Sequence, residues 1–116
     1  MIYINKLIPG AKTIFIMKVK INTVHFTADQ RLLEFVNKKV SKLDTFFDGI
    51  INSEVTLKVL KPESAKNKVS ELKVSIPSNG YLFAKKQANS FEEATDLAID
   101  AMKKQLDKYK DKLKSK

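Results

Sequence analysis

This chain predicts an α+β fold, a two-layer β-α-β-β-β-α sandwich whose four-stranded sheet carries two helices on one face. Three features lead there: apolar and polar residues alternate with period two in three separate stretches, two longer stretches repeat their apolar residues every three or four positions, and turn residues fall between the elements, one set signalling a hairpin into a further strand. From Lys18 to Thr23 the alternation is that of a half-buried strand. Thr27 then offers an N-cap with Gln30 three residues on, a capping-box pattern, and Leu32, Leu33, Val36, Val40, Leu43 and Phe47 mark a helix face running to about Phe46. Asp48-Gly49 ends that helix. Ile51 to Leu60 places Ile51, Val55, Leu57 and Val59 on one face, Lys61-Pro62-Glu63 turns, and Val69 to Ile76 directs Leu72, Val74 and Ile76 inward. Pro77-Ser78-Asn79-Gly80 signals a hairpin into a fourth strand, Tyr81 to Lys86. Ser90 with Glu93 forms a second capping box, opening a long helix whose apolar face is Ala94, Leu97, Ala98, Ala101, Met102, Leu106, Tyr109 and Leu113.

Composition sets the class of partner. The 116 residues are 43% hydrophobic and 30% charged, which describes one small domain with a modest core. A net charge of +9, carried by lysines and the single arginine Arg31, favours a phosphate-rich partner over a neutral one. Scarce arginine argues against dense bidentate reading of bases, because lysine acts as a point charge on backbone phosphate. The chain has no cysteine, hence no disulfide framework, thiolate nucleophile or zinc-thiolate site, and a reducing cytoplasm is the default.

Residues 1–16 differ from the rest: they are apolar and basic, contain no acid and break at Pro9-Gly10. That break and Lys12 interrupt any signal-peptide core, and the segment is far short of a membrane span. It is expected to be an unstructured extension or the product of a start assigned too early, leaving residues 17–116 as the working domain with a charge of +7 once Lys6 and Lys12 are set aside.

The most basic stretch is the C-terminal helix, where Lys103 to Lys116 holds seven lysines against two aspartates. At about 100° per residue, Asp96, Asp100, Asp107 and Asp111 fall in one stripe opposite the apolar face. Lys104, Lys108 and Lys112 line one flank of that face in a row free of acids, while Lys103, Lys110 and Lys114 lie beyond the other flank. Lysines also suit the negative end of a helix dipole, so this charge alone does not decide between a solvated helix end and a binding surface. On the first helix, Arg31, Lys38, Lys39 and Lys42 repeat the pattern along one flank. A right-handed first crossover followed by three antiparallel strands makes both helices run in one direction, so one lysine row lines the groove between them and the other an outer edge. Such spacing suits backbone phosphates on a broad RNA surface.

Catalytic constellations are missing from the sequence. His25 is alone at a strand end, a setting typical of structural or solvated histidines; Gly10, Gly49 and Gly80 are isolated, so no phosphate-cradling loop is present. The aspartate stripe reads as a solvated face rather than a metal site. No enzymatic activity, cofactor, metal or small-molecule substrate is expected. Phe46, Phe47 and Phe91 are expected in the core, and so are Tyr81 and Phe83, although alternate strand positions also suit base-stacking aromatics.

Four stretches carry a family resemblance: Leu33-Glu34-Phe35-Val36 with Lys39 and Lys42; Leu43-Asp44 with Phe47-Asp48; Val55-Thr56-Leu57-Lys58-Val59; and Ala94-Thr95-Asp96 through Asp100 to Gln105-Leu106-Asp107-Lys108-Tyr109-Lys110-Asp111-Lys112-Leu113. With the element order, they make residues 17–116 resemble the ribosome hibernation promoting factor family, also described as ribosome-associated inhibitors or sigma-54 modulation proteins. The resemblance implies a fold similar to double-stranded-RNA-binding domains. It also implies binding in the decoding channel of the small ribosomal subunit, in competition with mRNA and tRNA, and inhibition of translation in starved or stationary cells. It matches Lys39, Lys42, Lys104, Lys108, Lys110 and Lys112 to the family's rRNA-binding positions. Arg31, Lys38 and Lys103 are additional candidates, the last because Ala101 stands where members often carry a lysine. Ending at Lys116, the chain is expected to be the short form without a dimerising domain. The alternative expectation is a free-standing RNA-binding module or RNA chaperone acting away from the ribosome.

Overall fold

The structure, a computed structural model, describes residues 11–16, 19–61, 65–77 and 80–114. Its elements run β1 (Ala11–Ile16), β2 (Val19–Val24), α1 (Gln30–Ser41), α2 (Leu43–Phe46), β3 (Asn52–Val59), β4 (Lys68–Ile76), β5 (Gly80–Ala88) and α3 (Phe91–Lys114). The α+β sandwich is present, with the four expected strands as β2 to β5. The sheet also has a fifth, β1, in the spatial order β1-β2-β3-β4-β5. β1 pairs antiparallel with β2 from Ala11↔Val24 to Ile16↔Val19, so residues 11–16 are not the unstructured extension expected of them. Residues 1–10 lie outside the described residues.

β2 and β3 are parallel, and β3, β4 and β5 are successively antiparallel. β2, β3 and β5 therefore share one direction, and α1 and α3 each return from a strand of that direction. Period-two alternation decides which side faces the helices. Val19, Ile21 and Thr23, then Ser53, Val55 and Leu57, then Ser70, Leu72, Val74 and Ile76, and finally Ala84 and Ala88 are buried beneath them. Leu32, Leu33, Val36 and Val40 of α1 and Phe91, Ala98, Ile99, Met102 and Leu106 of α3 close the core. Each fully buried aliphatic side chain contributes about 1.5–3 kcal/mol relative to exposure. α3 lies over β4 and β5, where Ala84, Ala88, Ala94 and Ala98 permit close approach. A buried polar tie crosses this layer, Thr95 Oγ1 donating to Ser70 Oγ at 3.2 Å.

Local differences from the expected elements have physical causes. The N-cap of α1 is Asp29, whose Oδ1 accepts from the Leu32 amide at 2.8 Å; a carboxylate next to the first turn displaces Thr27 from that role. Gln30 donates to Glu34 instead of closing a capping box. The first helix also breaks at Lys42, whose carbonyl accepts from the Thr45 and Phe46 amides and the Thr45 hydroxyl, so its last turn is the separate α2. At α3, Ser90 Oγ does accept from the Glu93 amide, at 3.1 Å. Ile51 precedes β3 and is exposed, its expected inward place taken by Ser53. His25 closes β2 in the left-handed region at φ 67°, followed by Phe26, which stacks on Phe91 at 4.5 Å between centroids.

Candidate nucleic-acid interface

The expected site residues divide between two sides of α3. On the inner side, Lys39, Lys42, Asp96, Ile99, Asp100 and Lys103 line a cleft of about 340 Å³ between α1 and α3. Contacts rise together along the two segments, Lys39 with Asp96 and then Phe46 with Lys103 and Lys110, so the helices run parallel as the topology requires. Lys39 Nζ lies 3.6 Å from Asp96 Oδ1 and 5.5 Å from the Phe35 ring. The acidic stripe therefore does not point wholly to solvent: Asp96 and Asp100 enter the cleft and offset part of its positive charge. The same helical angle places Asp96 and Asp100 beside the Lys103 row.

On the outer side, Lys108 and Lys112 line a shallow hollow of about 210 Å³ with Leu82, Gln105 and Tyr109, where α3 overhangs β5. Gln105 Nε2 donates to the Phe83 carbonyl at 2.7 Å and fixes that overhang. Lys104 is exposed one turn earlier on the same flank. Leu97, expected on the buried face, lies beside this row and is 41% exposed, because α3 rests on the sheet through Ala94, Ala98 and Met102. Leu113 is exposed too, near the end of the helix.

Lys110 has a more structural setting than its position in the sequence implied. Its Nζ donates to the Phe46 carbonyl at 3.1 Å, lies 4.4 Å from the Phe46 ring centroid and is 4.0 Å from Asp107 Oδ1. It caps the C-terminal end of α2, where exposed carbonyls favour a cation. The Phe47 ring, edge-on to Tyr109 at 5.6 Å, adds an apolar contact between α2 and α3. Arg31 and Lys38 are exposed on α1 outside the cleft lining. The side chain of Lys114 lies outside the described residues. Phe46 and Phe47 pack against the core and Phe91 is buried in it, as expected.

Tyr81 and Phe83 correct the expectation that they belong to the core. They lie on the open face of the sheet, 58% and 45% exposed, while Leu82 and Ala84 between and after them face the helices. The hairpin register opposes Val74 to Leu82 and Leu72 to Ala84, and this leaves the two rings on the outer parity.

With this geometry in place, comparison with known proteins is decisive at the level of family. Residues 19–114 match the family described as Sigma 54 modulation protein / S30EA ribosomal protein. The chain belongs to that family. Among its relatives, the ribosome hibernation promoting factor of Pseudomonas putida is 32% identical over 99 residues, covering 85% of this chain and 92% of the relative. The ribosome hibernation promoting factor of Escherichia coli K12 is 34% identical over 93 residues, covering 80% and 90%. Among solved structures, a ribosomal subunit interface protein from Coxiella burnetii matches with a TM-score of 0.70 at 21% identity, over 81% of this chain and 98% of that one. The N-terminal domain of Protein Y from Thermus thermophilus matches with a TM-score of 0.64 at 23% identity, over 81% and 97%. These two likenesses establish a shared fold. Family coverage begins at β2, so β1 lies outside it.

Proposed function

We propose that this chain is a ribosome hibernation factor of the cytoplasm, which binds the decoding channel of the small ribosomal subunit and inhibits translation in starved or stationary cells. The observation that carries the reading is the family match over residues 19–114, in which relatives spanning nearly the same length are named ribosome hibernation promoting factors. The charge arrangement supports it. Lys104, Lys108 and Lys112 offer an exposed row, the last two beside a hollow that no carboxylate lines, while Lys39, Lys42 and Lys103 offer a cleft into which a backbone phosphate fits. Lysines of this kind hold phosphates and set register without reading bases. Among the described residues no helix is long and apolar enough to cross a membrane.

Inhibition by this route needs affinity and bulk but no reaction. The lysines neutralise rRNA phosphates, counterions are released, and the folded body occupies space that mRNA and tRNA need. Sedimentation of a stationary-phase lysate tests the assignment. The protein should travel with ribosomal particles and leave them as salt is raised; a protein that stays at the top of the gradient at low salt contradicts the reading and favours an RNA chaperone acting elsewhere.

A further inference from the structure

The sheet has a second face, opposite the helices, which the lysine rows do not reach. On it β4 and β5 place Tyr81, Phe83, Lys73 and Lys85 side by side. Lys73 Nζ lies 4.5 Å from the Tyr81 ring centroid, so a cation and an aromatic face are held together at an exposed position. Tyr81 and Phe83 stand two residues apart on one strand, about 7 Å along its axis. Four lysines, Lys20, Lys58, Lys73 and Lys85, share this face with Glu54 and Glu71. Glu71 is engaged by Lys58 at 3.0 Å and by Lys85 at 3.9 Å, and Glu54 by Lys20 at 3.9 Å and Asn22 at 2.6 Å, so neither carboxylate presents uncompensated negative charge.

We infer that the open face of the sheet is a second RNA-binding surface, on which single-stranded RNA stacks bases on Tyr81 and Phe83 while Lys73 and Lys85 meet its phosphates. Exposed aromatics on alternate strand positions amid positive charge are what unpaired bases require, since every base has a stacking face and duplex RNA hides its own. A second copy of the chain fits less well. Lys85 and Lys86 charge the β5 edge, as strands that resist edge pairing are charged, and the Phe83 carbonyl already accepts from Gln105. Because the sheet separates this surface from α1 and α3, RNA can occupy both sides of one molecule. The inference stands independently of decoding-channel occlusion.

The test uses the full chain with fluorescein-labelled octauridine and with a blunt RNA duplex of equal length, read by anisotropy. Tyr81→Thr/Phe83→Thr keeps strand-compatible residues at two exposed positions. Its affinity for octauridine should fall about tenfold or more, with duplex affinity and melting temperature unchanged. Tyr81→Phe, which keeps the ring, should bind octauridine as the parent does. Octauridine affinity within about threefold of the parent overturns the proposal, as does an equal loss for the duplex. So does a concentration-dependent dimer that the double substitution abolishes, which would assign the face to self-association. If the double variant does not fold, photo-crosslinking of 4-thiouridine-substituted octamer to the unaltered protein decides: crosslinks in β4 or β5 support the surface, and crosslinks confined to α1 and α3 overturn it.

Discussion

Thr23 Oγ1 is the buried side-chain polar atom that has no hydrogen-bond partner among the described residues. Thr23 sits on the helix-facing side of β2, so its hydroxyl has been taken from water without replacement. Thr23→Val, which keeps the branched shape and removes the orphan, should stabilise the protein by about 1 kcal/mol. Thermal unfolding should show a rise of several degrees; a fall would mean that the hydroxyl has a partner after all. Ser70 and Thr95 are the converse case, two buried hydroxyls that satisfy each other between β4 and α3. Ser70→Ala or Thr95→Val alone strands the other hydroxyl and should cost about 1–3 kcal/mol, while the double variant should recover much of that loss. Strictly additive losses in urea melts would show that the pair is not coupled.

At the scale of elements, the two lysine rows differ in what surrounds them. Lys39 is paired with Asp96, and Lys103 shares its cleft with Asp96 and Asp100, so a phosphate entering there meets carboxylates. Of Lys104, Lys108 and Lys112, the last two line a hollow that no carboxylate lines. Changing these three to glutamine should weaken ribosome binding more than Lys39→Gln/Lys103→Gln does. It should also flatten the log-log salt dependence by about two units, at roughly 0.7 to 0.9 per phosphate. An unchanged slope would show that the outer row touches no phosphate. β1 belongs to a different category. It covers the free edge of β2 yet lies outside the family match, so removal of residues 1–16 should lower the melting temperature while ribosome binding persists. Loss of binding by a still-folded truncation would place the N-terminal segment in the interface.

Elements with one clear periodicity were legible in the sequence: the alternation in β2, β3 and β4, the faces of α1 and α3, and the Ser90 cap. Others were not. Tyr81-Leu82-Phe83-Ala84 is apolar at both parities, so side-chain size pointed the two rings inward, whereas the hairpin register and the need for small residues beneath α3 turned them out. Residues 11–16 showed no amphipathic alternation, and it is the unpaired edge of β2 that recruits them. For the candidate site, the lysines and their division into two rows followed from helical angle alone. The entry of Asp96 and Asp100 into the cleft and the capping of α2 by Lys110 depend on how α1, α2 and α3 pack, which no single helix encodes.

For the whole molecule, the proposed function depends on where a basic folded body sits. Two helices parallel to one another on a mixed sheet present a partly compensated cleft and an exposed outer lysine row, and the sheet beneath them holds that spacing. Under the proposed function such a body inhibits by exclusion, and exclusion has a thermodynamic signature: two ligands that cannot share a site must displace one another by mass action. The most direct measurement is therefore competition in a purified translation system, with inhibition and the amount of protein bound to the small subunit followed together while initiator tRNA and mRNA are raised. Occlusion predicts that translation recovers and the bound protein leaves in step; inhibition that persists with the protein still bound, or chemical alteration of ribosomal RNA by the pure protein, would contradict it.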